Sequence, residues 1–159
     1  MNLWKSIVLG SALALVLPAA FAAQPATDTS AGTWTLNIAK STFGSRSPPK
    51  SETRIYTVTS KGTRVVIEDE AADGTKSKAE TLLTYDGKPQ MLSGNPDYDT
   101  VTTKRIDRYV TTADLLRSGK VIGTLRRVVS EDGKTLTMNI RLDKANGTTE
   151  TAMSVYERQ

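Results

Sequence analysis

The chain has 159 residues, with 21 Lys and Arg against 17 Asp and Glu, a formal net charge of +4, and neither His nor Cys. Disulfides are therefore excluded, and the commonest general base, the strongest nucleophile and the usual zinc ligands are missing. Basic residues are interspersed with acidic ones and form no block beside stacking aromatics, so nucleic-acid binding is not expected.

Residues 1–22 read as a signal peptide. Lys5 supplies the positive start, Ile7 to Leu17 an apolar run ended by Pro18, and Ala20-Phe21-Ala22 a small-x-small cleavage site. That run is too short to cross a hydrocarbon layer of ~30 Å, so stable membrane insertion is not expected. Export without disulfides, and without a Cys for lipid attachment, predicts the periplasm of a Gram-negative bacterium, or secretion. Residues 23–30 (AQPATDTS) read as a flexible lead-in, and 31–159 as one domain that depends on a hydrophobic core for its stability.

Within that domain short Thr/Val/Ile/Leu/Tyr runs alternate with turn dipeptides. Trp34, Leu36 and Ile38 alternate with polar residues, giving a first strand with one apolar face. The stretch 40–51 follows, where Pro48-Pro49 and Gly44 exclude regular structure. Strands are then predicted over 52–60, 63–71 and 76–85. A second irregular stretch, 86–99, holds two prolines and two glycines, with Met91-Leu92 as a short strand inside it. Strands at 100–106 and 108–116 form a hairpin around Asp107, and 120–130, 135–142 and 148–158 close the chain. The clearest is 135–142, where Leu136, Met138, Ile140 and Leu142 alternate with polar residues.

Lys61-Gly62, Asp73-Gly74, Asp86-Gly87, Ser118-Gly119, Asp132-Gly133 and Asn146-Gly147 mark the turns, because Gly, Asn and Asp best tolerate the positive φ of two-residue hairpins. The fold class expected is all-β: one up-and-down antiparallel meander of about 8–10 strands closed into a barrel, which removes both exposed edges. A strongly curved open sheet is the alternative.

Gly32-Thr33-Trp34, at the start of this meander, resembles the G-x-W opening shared by lipocalins and fatty-acid-binding proteins. The resemblance implies that Trp34 plugs one end of the barrel beneath an Arg from a late strand, with Arg127, Arg141 and Arg158 as candidates. The connection at 40–51 is too short for the helical lid of fatty-acid-binding proteins and is closer to a lipocalin lid loop. From GTWTLNIAKSTF through SGNPDYDTVTTKRID and RRVVSEDGKTLTM the chain also resembles small exported bacterial proteins of a lipocalin-like, uncharacterised family.

No G-x-S-x-G elbow and no glycine-rich phosphate loop occurs. No cofactor, metal or enzymatic activity is expected. Glu68-Asp69-Glu70 reads as a strand segment with Glu68 and Glu70 on one face and Asp69 on the other, and Asp97-x-Asp99 as turn vocabulary. Arg127 falls in the more apolar phase of its strand, with Val121, Gly123, Leu125 and Val129. Inside a barrel its charge needs a partner: a carboxylate of the protein, the Trp34 ring, or the anionic head of a ligand. Tyr85 and Tyr109 are candidate polar tips beside it. The expected function is non-enzymatic binding of a small apolar or amphipathic ligand, anionic ones included, by a monomer. A side-chain-filled barrel acting as an envelope interaction module is the alternative.

Overall fold

The computed structural model describes residues 28–159 apart from residue 145. The signal-peptide reading of 1–22 lies outside the described residues, as do residues 23–27. Ten antiparallel strands follow one another: β1 (Gly32–Leu36), β2 (Ser51–Thr59), β3 (Gly62–Glu70), β4 (Lys76–Leu83), β5 (Asp86–Met91), β6 (Thr100–Arg105), β7 (Val110–Arg117), β8 (Lys120–Val129), β9 (Thr135–Asp143) and β10 (Thr149–Arg158). A 3-10 turn, Ile38–Lys40, follows β1. The sheet order is β4-β3-β2-β1-β10-β9-β8-β7-β6-β5. The first strand therefore pairs with the last, with Trp34 opposite Arg158 and Leu36 opposite Tyr156.

Only β4 and β5, consecutive in the chain, fail to zip together. Between them Glu80 and Ser93 exchange two backbone hydrogen bonds (3.1 and 3.0 Å), and Thr81 Oγ1 donates to the Met91 carbonyl at 2.8 Å. The sheet is thus a nearly closed barrel with one unsealed seam. The seam has a local cause. Asp86-Gly87 is not the two-residue hairpin its dipeptide predicts, because the chain turns earlier, at Thr84 and Tyr85, and Tyr85 takes a left-handed φ of 60°. Asp86–Met91, expected to be mostly irregular, is an edge strand whose register slips between Asp86 and Pro89. Proline has no N–H to donate, and such residues are confined to edges.

Past Met91 the chain returns to the seam at Gly94, which has φ +77° and lies so close to β4 that a Cβ would come within 2.0 Å of the Lys78 carbonyl oxygen. Gly94→Ala is expected to cost about 1–3 kcal/mol through backbone strain and to weaken the Glu80–Ser93 bridge. Urea unfolding together with faster amide exchange at Glu80 would register both effects. Of the other five turn dipeptides, four lie between strands, at 73–74, 118–119, 132–133 and 146–147; at Lys61-Gly62 the turn falls one residue earlier, on Ser60 and Lys61, and Gly62 opens β3.

Alternation fixes what faces inward. Leu136 and Met138 on β9 are buried, with Ile140 and Leu142 half-buried above them, and Val65, Leu83, Val101, Leu115 and Val129 fill the interior from other strands. Each buried aliphatic side chain contributes about 1.5–3 kcal/mol relative to exposure, and this apolar layer holds the wall in one register.

Candidate functional site

The barrel interior is stacked in layers, and the strand registers set their order. At the closed end Trp34 is fully buried, and its Nε1 donates to the Ser30 carbonyl at 2.7 Å. The Arg158 guanidinium lies 4.2 Å above the indole ring and donates to the carbonyls of Ala31, Thr29 (2.8 Å) and Gly133 (2.5 Å). Of the three candidates, Arg158 is the partner of Trp34. Gly32 belongs to the same device: it has φ +124°, and a Cβ there would sit 2.7 Å from Arg158 Nη1.

The next layer contains a carboxylate that reads from sequence as part of a loose lead-in. Residues 28–30 are not loose. Asp28 and Ser30 are buried, and Asp28 reaches into the barrel, where its oxygens accept from Thr63 Oγ1 (2.6 Å), Ser30 Oγ (2.7 Å), the Ser30 amide (3.0 Å) and the Tyr85 hydroxyl. Arg105 Nη2 lies 3.2 Å and Arg127 Nη2 3.8 Å from the same carboxylate. Burial pushes the Asp28 carboxyl up, but Arg127 and the hydroxyls of Thr63, Tyr85 and Ser30 outweigh it and bring the group to about 2.

Arg127 points inward, as its phase predicts, and is 4 % exposed. Its Nη2 donates to the Tyr85 hydroxyl and to Thr111 Oγ1, both at 3.0 Å, and the guanidinium stands 5.1 Å from the Tyr56 ring centre. Of the three partners open to it from sequence, a carboxylate of the protein is the one in place. Tyr85 is beside it, brought there by the left-handed turn residue. Tyr109 is not. It sits in the β6–β7 turn, where Arg108 stacks 4.8 Å from its ring centre, and it borders neither cavity described below.

A second polar layer lies nearer the mouth. Arg54 Nε donates to Glu52 Oε1 at 2.6 Å and to the Tyr156 hydroxyl at 3.0 Å, and that hydroxyl donates to Glu52 at 2.8 Å. Burial would favour neutral Arg54, but Glu52 and the surrounding tyrosines more than offset it, so the guanidinium keeps its proton. Burial pushes the phenols of Tyr156 and Tyr98 up, which leaves both neutral and able to donate. Between the two polar layers the interior leaves a void of about 60 Å3.

Above the second layer the barrel opens into a cup of about 480 Å3. Phe43, Pro49, Ile140 and Leu142 supply apolar wall, and Tyr98 forms part of its floor. The two stretches read as irregular meet here: Arg46 of 40–51 binds Asp97 of 86–99 at 2.8 Å. Glu150 is tied to Lys144 (2.6 Å) and Ser45 Oγ (2.6 Å), which hold its carboxyl down at about 2.

Glu68-Asp69-Glu70 splits as alternation predicts. Glu68 pairs with Lys78 outside, whereas Asp69 faces the cup opposite Glu52. Burial, then Glu52, pushes the Asp69 carboxyl up, with Arg54 opposing. Among the described residues no group of three or more Asp or Glu is arranged to hold a metal ion. Compared with known protein families and with curated proteins, the sequence matches none. The molecule is defined by its architecture: an all-β meander barrel with a plugged base, a nearly filled interior and an open cup.

Proposed function

We propose that this is an exported, non-enzymatic binding protein that holds one small apolar or amphipathic molecule in the cup at its mouth. The observation that carries the reading is the cup itself: about 480 Å3, with an apolar wall and a few polar groups, within the ~300–1,000 Å3 typical of ligand sites. The depth of the barrel is the wrong place for such a ligand, since about 60 Å3 cannot take an acyl chain. Arg127 is also the wrong head-group partner for a molecule in the cup, because it lines the inner void and does not border the cup. Around the cup Glu52, Asp69, Asp73, Asp97 and Glu150 outnumber Arg46, which disfavours an anionic head.

Calorimetric titration with octanol, octylammonium and octyl sulfate tests this directly. The neutral and cationic chains should bind and the sulfate should bind weakest. Leu142→Asp, which places a charge on the apolar wall, should weaken binding at least about ten-fold without unfolding the barrel. If the folded wild type takes none of the three, the carrier reading fails. The filled-barrel interaction module would then be the better account, since it draws on the same small inner void. Deleting 45–50, which forms one side of the cup, should in that case reduce partner capture.

A further inference from the structure

We propose that the inner void is a binding site for a small monovalent anion, of halide to formate size. Its wall carries charge of one sign only. Arg54 and Arg127 both line it, while their carboxylate partners, Glu52 and Asp28, do not. Arg127 is 4 % exposed, and its Nε–H is buried with no acceptor among the described residues. Leaving such a donor unanswered is costly, the more so on a charged group.

Thr103 and Thr111 border the same void, and each hydroxyl already accepts a bond, from the Tyr85 amide (3.3 Å) and from Arg127 (3.0 Å). A hydroxyl that accepts still has a proton to give. The remaining wall is mostly aliphatic, with Val65, Leu83, Val101, Leu115 and Met138, and its other polar groups are the hydroxyls of Tyr56, Tyr98 and Thr81, the last of which already donates to the Met91 carbonyl. This set of groups discriminates between occupants. A buried water needs two to four partners and has two protons of its own to place. An anion only accepts, and it answers the positive charge of a wall that carries two guanidinium groups and no carboxylate.

A volume of about 60 Å3 admits a halide, formate or nitrate and excludes anything with an alkyl tail. Tyr98 borders both the void and the cup, so its ring is the partition through which an anion would enter. The proposal does not depend on what the cup binds.

Crystals of the full chain soaked in sodium bromide give the direct test. An anomalous peak is expected in the void within hydrogen-bond distance of Arg127 Nε. A parallel soak in formate distinguishes an inorganic ion from a carboxylate, and either one bound there supports the site. Because Arg127 also holds Asp28, its removal could unfold the protein, so the informative variant is Ala113→Leu, which fills the void and leaves both guanidinium groups in place.

In thermal unfolding at matched ionic strength, the wild type should be stabilised by bromide or formate relative to gluconate. Ala113→Leu should lose that difference. Soaked crystals with no anion in the void, or a variant that responds as the wild type does, would overturn the proposal.

Discussion

Replacing Asp28 with alanine is expected to lower the unfolding free energy by about 3–5 kcal/mol, the cost of leaving a buried guanidinium without its counter-charge. The effect is out of proportion to the residue's place in a polar, proline-containing stretch. It follows from the five groups that converge on this carboxylate, of which Thr63 and Arg127 are almost fully buried. The same group makes stability depend on acid. Its folded pKa of about 2 lies below the ordinary 3.8, so its contribution is complete above the unfolded value and is lost as pH falls through the folded one. A shift of that size corresponds to about 2 kcal/mol, lost between roughly pH 4 and pH 2. Urea unfolding of wild type and Asp28→Asn across that range should give curves that converge at the acid end. Parallel curves would show that Asp28 does not carry the linkage.

The second large effect is expected at the closed end. Trp34→Ala should cost about 3–5 kcal/mol, the usual range for emptying a buried tryptophan site. It also removes the ring under Arg158, whose guanidinium binds Thr29, Ala31 and Gly133 and so joins the segment before β1 to the β8–β9 turn and to β10. Arg158→Lys keeps the charge but loses the planar fork, and should recover only part of the stability. Equilibrium unfolding of the three proteins orders them: wild type, then Arg158→Lys, then Trp34→Ala. A Trp34→Ala protein as stable as wild type would mean that the plug is ornamental.

The sequence read differently well at different depths of the barrel. On β9 the apolar residues mark the inner face unaided, whereas on β8 both phases hold aliphatic residues, Ile122 and Val128 opposing Leu125 and Val129, and the structure puts the phase of Arg127 inside. β2 carries apolar residues in phase only at Tyr56 and Val58, because its inward positions nearest the mouth are Glu52 and Arg54. A buried ion pair and a solvated one have the same letters, and only the opposing Tyr156 distinguishes them. Asp28 was illegible for a related reason: apart from Ser30, its partners lie on β3, β6 and β8 and in the turn after β4, far from it in sequence. The choice among three arginines for Trp34 waited on the pairing of β1 with β10, which no local pattern encodes. At Asp86-Gly87 the turn signal was overridden by Tyr85, whose hydroxyl is held by Asp28 and Arg127.

The pairing of β1 with β10 also sets an order of events. The sheet is split between β4 and β5, which are consecutive in the chain, and is joined between β1 and β10, which stand at opposite ends of the meander. During synthesis β1 is made first, yet the strand that carries Arg158 is made last. Until then Trp34 has no cap and β1 lacks its second neighbour. A growing chain of this design stays unfinished and open-edged throughout its emergence, and pairings of such long sequence separation form slowly. Closing the native barrel therefore requires β10, the last of its ten strands to be synthesised.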